Sequence, residues 1–199
     1  MNGLATIWPS GRTSINGVSL GDAWPCTSMP NPGSSFKISS LSGGQSGDQW
    51  ESILPFHKLT QWLTYSIMQP MQSLLKMHFA GTELLTGLPE YRNGGLFVDM
   101  GVLTLKPDDT ERGLQNFGDY CKRTGESGVE VAPMFEPGDD VVVEWRGVTI
   151  GLLDRLCIDV NKALRKELNG NEMTLAQLLE AGTWKASEPL PRNYLQTLS

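Results

Sequence analysis

Leu85–Lys106, LTGLPEYRNGGLFVDMGVLTLK, is the stretch from which the rest of the chain is read. It sets a carboxylate (Glu90), a phenol (Tyr91), a guanidinium (Arg92) and an amide (Asn93) side by side, just ahead of Gly94 and Gly95. Pro89 stiffens the entry and disfavours helix at Leu88. The glycine pair admits backbone angles closed to other residues and lets a ligand approach the main chain. An apolar run, Leu96–Leu105, anchors the segment with a weak strand-like alternation from Phe97, and its one acid, Asp99, is expected to be buried. Two readings stand open. One is a binding site on a stiffened turn; the other is a capped surface turn with an Arg–Glu ion pair.

Upstream, the pattern from Pro55 predicts a helix. Leu59, Trp62, Leu63, Ile67, Met71, Leu74 and Leu75 fall at three-and-four spacing, as one buried face should. Pro70 lies inside that pattern and predicts a kink or a restart. The other face carries His57, Lys58, Gln61 and Tyr65. That face is either solvated or part of a site. His78, the second histidine, lies in unpatterned sequence. Further upstream, Met1–Trp24 is expected to hold turns and short extended pieces, with Trp8 and Trp24 as packing anchors and GVSLGD as a turn leading into a docked aromatic. Residues 27–49, rich in Ser, Gly and Pro, predict a mobile surface loop.

Downstream, Pro107–Pro137 has little periodicity. A short helix is expected over Arg112–Cys121, with loop at Tyr120–Arg123 and Glu126–Gly128. Asp139 and Asp140 then cap a long helix running to about Leu168. Its main apolar face is Val142, Trp145, Val148, Thr149, Leu152, Leu156, Val160, Ala163 and Leu164. A second stripe holds Glu144, Gly147, Gly151, Asp154 and Ile158. A helical glycine costs about 1 kcal/mol relative to alanine. Two on one stripe therefore predict a close approach there, by a crossing helix or by a ligand. Thr174 caps a last helix, Leu175–Ala181, which Gly182 ends, with Trp184 packing back.

The 199 residues suffice for one domain with a real core. A net charge of −6 with no basic run argues against nucleic acid or an anionic membrane as partner. No apolar stretch approaches the ~20 residues of a spanning helix, and the N-terminus lacks signal-peptide character. Cys26, Cys121 and Cys157 are odd in number and widely spaced, with no zinc-type cluster. Reduced thiols in a cytoplasmic protein are the simplest account, with Cys157 in the core. No metal and no cofactor is expected.

The string GLPEYRNGGLFVDMGVL resembles the central motif of the uracil-catabolism protein 4 family of fungi and bacteria. GVSLGDAW (Gly17–Trp24), LPFHKLTQWLTYSIMQP (Leu54–Pro70), VVVEWRGVTIGLLDRL (Val141–Leu156) and TLAQLLEAGTWKA (Thr174–Ala186) resemble it in the same order. The resemblance covers 1–186 and corresponds to the C-terminal half of a typical member. Residues 187–199 diverge from the family, so a truncated C-terminus and a partner supplying the missing N-terminal half are expected. A more distant likeness links EYR and the downstream EWR to the DYR and EIR patterns of queuosine-salvage glycosidases. That implies a mainly α fold, a helical domain related to DNA glycosylases, with long irregular loops and little strand.

What the resemblance implies chemically is hydrolysis of the N-glycosidic bond of a ribosylurea-like intermediate, releasing urea. The polar face near Gln61 then belongs to the site. A carboxylate must face the positive charge that develops on the sugar. Glu90 is the candidate, with Asp99, Glu144 and Asp154 in reserve. Tyr91 and Arg92 orient it, or Arg92 takes a phosphate; Asn93 suits a urea or sugar hydroxyl. Arg146 neutralises one of the acids, and His57 and Lys58 donate a proton or contact a phosphate. The ligand is a small ribosyl compound. The alternatives are a non-catalytic binding or assembly subunit, and an inactive truncated member.

Overall fold

The computed structural model describes residues 12–15, 17–29, 52–126, 130–184 and 196–197. Trp8, Gly128, residues 30–49 of the expected loop, most of the divergent tail and the side chain of Trp184 lie outside the described residues. Contacts divide the chain into two units, Met1–His57 and Lys58–Ser199.

In the first unit, β1 (Ser14–Ile15) and β2 (Val18–Ser19) pair antiparallel, with Ser14 opposite Ser19. Gly17 turns the chain between them at φ 75°, an angle that favours glycine. β3 (Ala23–Pro25) pairs antiparallel with β4 (Ile53–Pro55), Trp24 opposite Leu54. Trp24 is buried, its indole N–H donates to Asp22 at 2.9 Å, and the Arg12 guanidinium lies 4.7 Å from the ring centre. The expected turn into a docked aromatic is therefore present.

The second unit is mainly helical, as expected. Its first helix, α1, spans Lys58–Leu75 and begins three residues after Pro55. His57 precedes it at φ 45°, so it does not share the helical face of Gln61. This corrects the expected grouping. A left-handed residue cannot begin a right-handed helix. α1 runs unbroken through Pro70, and the expected restart does not occur. Pro70 is exposed, so the bond lost at the Ser66 carbonyl is not shut inside a core.

The period of α1 is the expected one, but its orientation is reversed. Lys58, Gln61, Thr64, Tyr65, Met68 and Met71 are the half-buried residues, while Leu59, Trp62, Leu63, Ile67, Leu74 and Leu75 are exposed; of the face expected to be buried, Met71 alone is half-covered. Hydrophobic spacing fixes which residues share a face, not which face meets the chain's own core.

α2 (Tyr91–Asp99) occupies the quoted stretch, where a turn and strand-like alternation were expected. Glu90 is its extended N-cap residue. Phe97 is buried, Met100 and Val102 are exposed, and Gly101 turns the chain at φ 70°. Asp99, expected to be buried, is exposed at the C-terminal end of the helix. Its apolar neighbours misled because helical spacing sends Phe97 and Asp99 in different directions.

α3 (Pro107–Thr124) is longer than the short helix expected and absorbs Tyr120–Arg123. Pro107 stands in its first turn, Asp108 and Asp109 lie at its positive end, and Lys122 and Arg123 at its negative end. Gly125 closes it at φ 74°. β5 (Met134–Phe135) follows, and the Phe135 ring lies close over Gly113 of α3.

α4 (Asp140–Ala163) is capped by Asp139, which accepts from the Val141 N–H at 3.0 Å. It ends five residues before Leu168, in turns closed by Asn169 and Gly170 with positive φ. Val142, Val143, Thr149 and Leu153 are its buried residues, while Val148, assigned to the apolar face, is exposed. A β-carbon at Gly151 would meet nothing within 4 Å, so the close approach expected there is absent.

Thr174 caps α5 (Leu175–Leu178) through a reciprocal box with Gln177. The chain then widens into a π-helical turn, Leu179–Trp184, that passes through Gly182 instead of stopping there. Gln196–Thr197 forms β6, parallel to β5. Leu88, Phe97, Leu153 and Leu179 make one buried cluster of the unit, with Tyr65, Leu103, Leu152, Leu156 and Leu175 packed around it. Each such aliphatic or aromatic residue contributes about 1.5–3 kcal/mol when fully buried. Leu88 belongs to the motif itself, so the segment that carries Glu90 is held by the core.

Candidate functional site

The site is built on a clamp between α1 and the segment Thr86–Glu90. The Gln61 amide oxygen accepts from the Thr86 N–H at 3.1 Å, and its nitrogen donates to the Thr86 hydroxyl at 2.8 Å. One turn along α1, the Tyr65 hydroxyl donates to the Thr86 carbonyl at 2.9 Å. Burial, and after it the charge of Asp154, holds the Tyr65 phenol above its ordinary range, so it stays a proton donor. Both main-chain groups of Thr86 are thus taken by side chains of one helical face. On the other side, Gly87 lies against Leu153 of α4, where a β-carbon would stand 3.0 Å from Leu153 Cδ1.

Asn93 then sets the turn. It is fully buried at 0% exposure. Its nitrogen donates to the Leu88 carbonyl at 2.6 Å, and its oxygen accepts from the Glu90 N–H at 2.8 Å. Glu90 and Asn93 form a reciprocal capping box at the start of α2. An amide is needed here because the position must donate and accept at once.

Glu90 is the acid this frame presents. Its side chain is 12% exposed and stands 3.5 Å from the Lys58 ammonium, whose own side chain is 38% exposed. The ammonium and the positive end of α2 both attract its negative charge. Glu90, Lys58 and Asn93 are therefore brought together, and Gln61 joins them through Thr86. Asn93 and Gln61 hold the segment that carries Glu90.

Tyr91 and Arg92 are less enclosed. The Arg92 Nε donates to the Tyr91 hydroxyl at 3.1 Å, and Tyr91 is exposed. Trp145 of α4 locks α2 in place, its indole N–H donating to the Gly94 carbonyl at 3.2 Å. Glu144 and Arg146 flank Trp145 on α4, and both are half-buried. Asp154, two turns further along, is exposed and acts electrostatically on Tyr65 and Cys157. Asp99 is exposed at the far end of α2. His57 is exposed and belongs to the first unit. Among the described residues, no group of three or more His, Cys, Asp and Glu is gathered as for a metal.

Thr86, Gly87 and Trp145 carry the architecture without having been singled out as site residues. Gly87 and Gly94 each lie against a bulky side chain of α4, Leu153 and Trp145, a contact that no local sequence pattern announces. A second unforeseen pair lies away from this frame. Arg112 of α3 donates from both terminal nitrogens to the Asp139 carboxylate, once at 2.9 Å, and also bonds Asp109. Its guanidinium lies 4.8 Å from the Phe135 ring centre. Those bonds hold the Asp139 carboxyl below its ordinary range.

The chain matches the model of a family described as a protein of unknown function (DUF1688) over residues 1–193. It is 44% identical over 183 residues to Protein urg3 of Schizosaccharomyces pombe, an alignment covering 92% of this chain and 35% of that protein. It is 43% identical over 192 residues to Uracil catabolism protein 4 of Lachancea kluyveri, covering 96% of this chain and 39% of that one. The chain thus spans little more than a third of the length of these relatives. No solved structure matches it. Among the described residues, no helix is long and apolar enough to cross a membrane.

Proposed function

We propose that this chain, which belongs to the DUF1688 family, serves uracil catabolism by hydrolysing the N-glycosidic bond of a ribosylurea-like compound. In that reaction the bond between the anomeric carbon and a urea nitrogen breaks, and its electron pair leaves with nitrogen. Positive charge gathers on the sugar ring. Water adds to the anomeric carbon, and the proton it loses ends on the departing nitrogen. The products are the free sugar and urea.

Glu90 supplies what this transition state asks for, a fixed carboxylate beside the developing charge and within reach of the attacking water. Lys58 holds it at 3.5 Å and is the group assigned to protonate the leaving urea. Arg92, Glu144 and Arg146 are assigned to sugar hydroxyls or a phosphate. The single observation that carries the reading is the support of Glu90: 12% exposed, paired to Lys58, and fixed through a fully buried amide. A solvated surface acid is not ordinarily held this way. The free cysteines Cys26, Cys121 and Cys157 fit a reducing, cytosolic setting.

The test is urea release from synthetic ribosylurea by the full-length Lachancea kluyveri relative and by this chain. Urea from the relative supports the reaction; none removes it. A second reading is a binding or assembly subunit, since the Lys58–Glu90 frame fits holding a ribosyl compound as well as cleaving it. Calorimetry with ribosylurea separates the two, since heat of binding without product fits only the second.

A further inference from the structure

The outward face of α1 is composed for burial. Leu59, Trp62, Leu63, Ile67 and Leu74 line one side of the helix at three-and-four spacing. Their exposure runs from 45% for Trp62 and Ile67 to 78% for Leu74. Leu59–Leu75 contains no charged residue, and no residue of α1 is buried. A helix that ends its life in water normally carries charges on its solvent side, and here the charge-free side is the exposed one. Contiguous apolar surface of this kind marks an interaction site.

The relatives supply the occupant. The matched stretch accounts for 35% and 39% of their lengths, so more than half of each relative lies outside it. The matched stretch, which contains α1, is 43–44% identical to them. We propose that the Leu59–Leu74 face of α1 docks an amphipathic helix from the portion that the longer relatives carry outside the matched stretch. Trp62, near the centre of the face, is its anchor, since interfaces of this type concentrate their affinity in large aromatic side chains. The inward face, with Lys58, Gln61 and Tyr65, continues to hold the Thr86–Glu90 segment, so the docked helix buttresses α1 from behind.

The test co-expresses this chain with the portion of the Lachancea kluyveri protein outside the 192 matched residues. The expected result is a one-to-one complex by light scattering. The double substitution Trp62→Glu with Ile67→Glu should weaken it roughly a hundredfold or more, because two charges then enter an apolar contact. Both positions are exposed, so the variant should keep the wild-type circular dichroism. As an independent measurement, hydrogen exchange of the wild-type chain should slow across α1 when the added portion is present. No complex, a complex indifferent to the double substitution, or unchanged exchange in α1 would each overturn the proposal. So would a stable dimer of this chain through the same face, which would make a second copy the occupant.

Discussion

Trp145 and Gly94 meet so closely that no side chain fits between them. A β-carbon at Gly94 would stand 2.5 Å from the indole Cζ2 atom, while the indole N–H donates to the Gly94 carbonyl at 3.2 Å. The contact fixes α2 on α4, and the start of α2 is where Glu90 stands. Gly95, next in the chain, would meet nothing within 4 Å.

The two glycines should therefore respond oppositely to alanine. Gly94→Ala is expected to lower stability by about 1–3 kcal/mol through overpacking. Gly95→Ala is expected to raise it by up to ~1 kcal/mol, the helix-propensity gain. Thermal melts of the two variants check this. A Gly94→Ala protein as stable as wild type would show that the Trp145 contact is looser than described.

Asn93 should act as a positioning residue. Asn93→Ala leaves the Leu88 carbonyl and the Glu90 N–H without partners in a buried place, and is expected to cost about 2–4 kcal/mol. Asn93→Asp keeps the shape but loses the donor to Leu88. It should be nearly as damaging and should lower kcat more than it raises KM. Denaturant titration and steady-state kinetics measure the two effects. Restored stability in Asn93→Asp would mean that the bond to Leu88 carries little weight.

Much of this frame was visible in the sequence, and the exceptions have physical reasons. Asp139 and Thr174 announce their helices because capping depends on neighbours within three residues. The three-and-four spacing of α1 was equally local. Its direction was not, since choosing between the Gln61 side and the Trp62 side requires knowing where Thr86 lies. The bond between Arg112 and Asp139 joins residues 27 apart, and no local pattern encodes it. Gly147 and Gly151 drew attention as a helical pair, yet Gly151 faces open space while Gly87 and Gly94 take the close approaches. Asp99 looked buried because its neighbours are apolar. In a strand that inference has some force; in a helix the residue two positions away faces elsewhere.

Asp139 offers a pH test. Arg112 holds its carboxyl below the ordinary value of 3.8, so the folded state binds that proton less readily than the unfolded one. The stabilisation is then fully present above the unfolded value and is lost as pH falls through the folded one. Asp139→Ala should cost about 1–2 kcal/mol near neutral pH, through the lost cap and ion pair. The gap to wild type should hold down to about pH 5 and narrow in stronger acid. Denaturant titrations across that range measure it. A gap that stays constant into strong acid would mean the ionised form of Asp139 contributes nothing.

Lys58 separates attraction from chemistry at Glu90. Lys58→Met removes the ammonium at 3.5 Å but keeps an unbranched apolar stem of similar length. Because Lys58 is partly exposed, the stability loss should stay within about 1 kcal/mol. Turnover of ribosylurea should fall by roughly tenfold to a thousandfold if the ammonium assists the leaving urea. An unchanged kcat would confine Lys58 to a structural role.

The most direct measurement is urea release from ribosylurea by the full-length relative, before and after its residue matching Glu90 is changed from Glu to Gln, with the melting midpoint recorded alongside. Glutamine keeps the size and the hydrogen-bonding reach of the side chain while removing its charge. The account predicts that turnover is abolished and the midpoint moves little. Retained turnover, or a collapse of stability equal to the loss of rate, would contradict it and leave Glu90 as only the cap of α2.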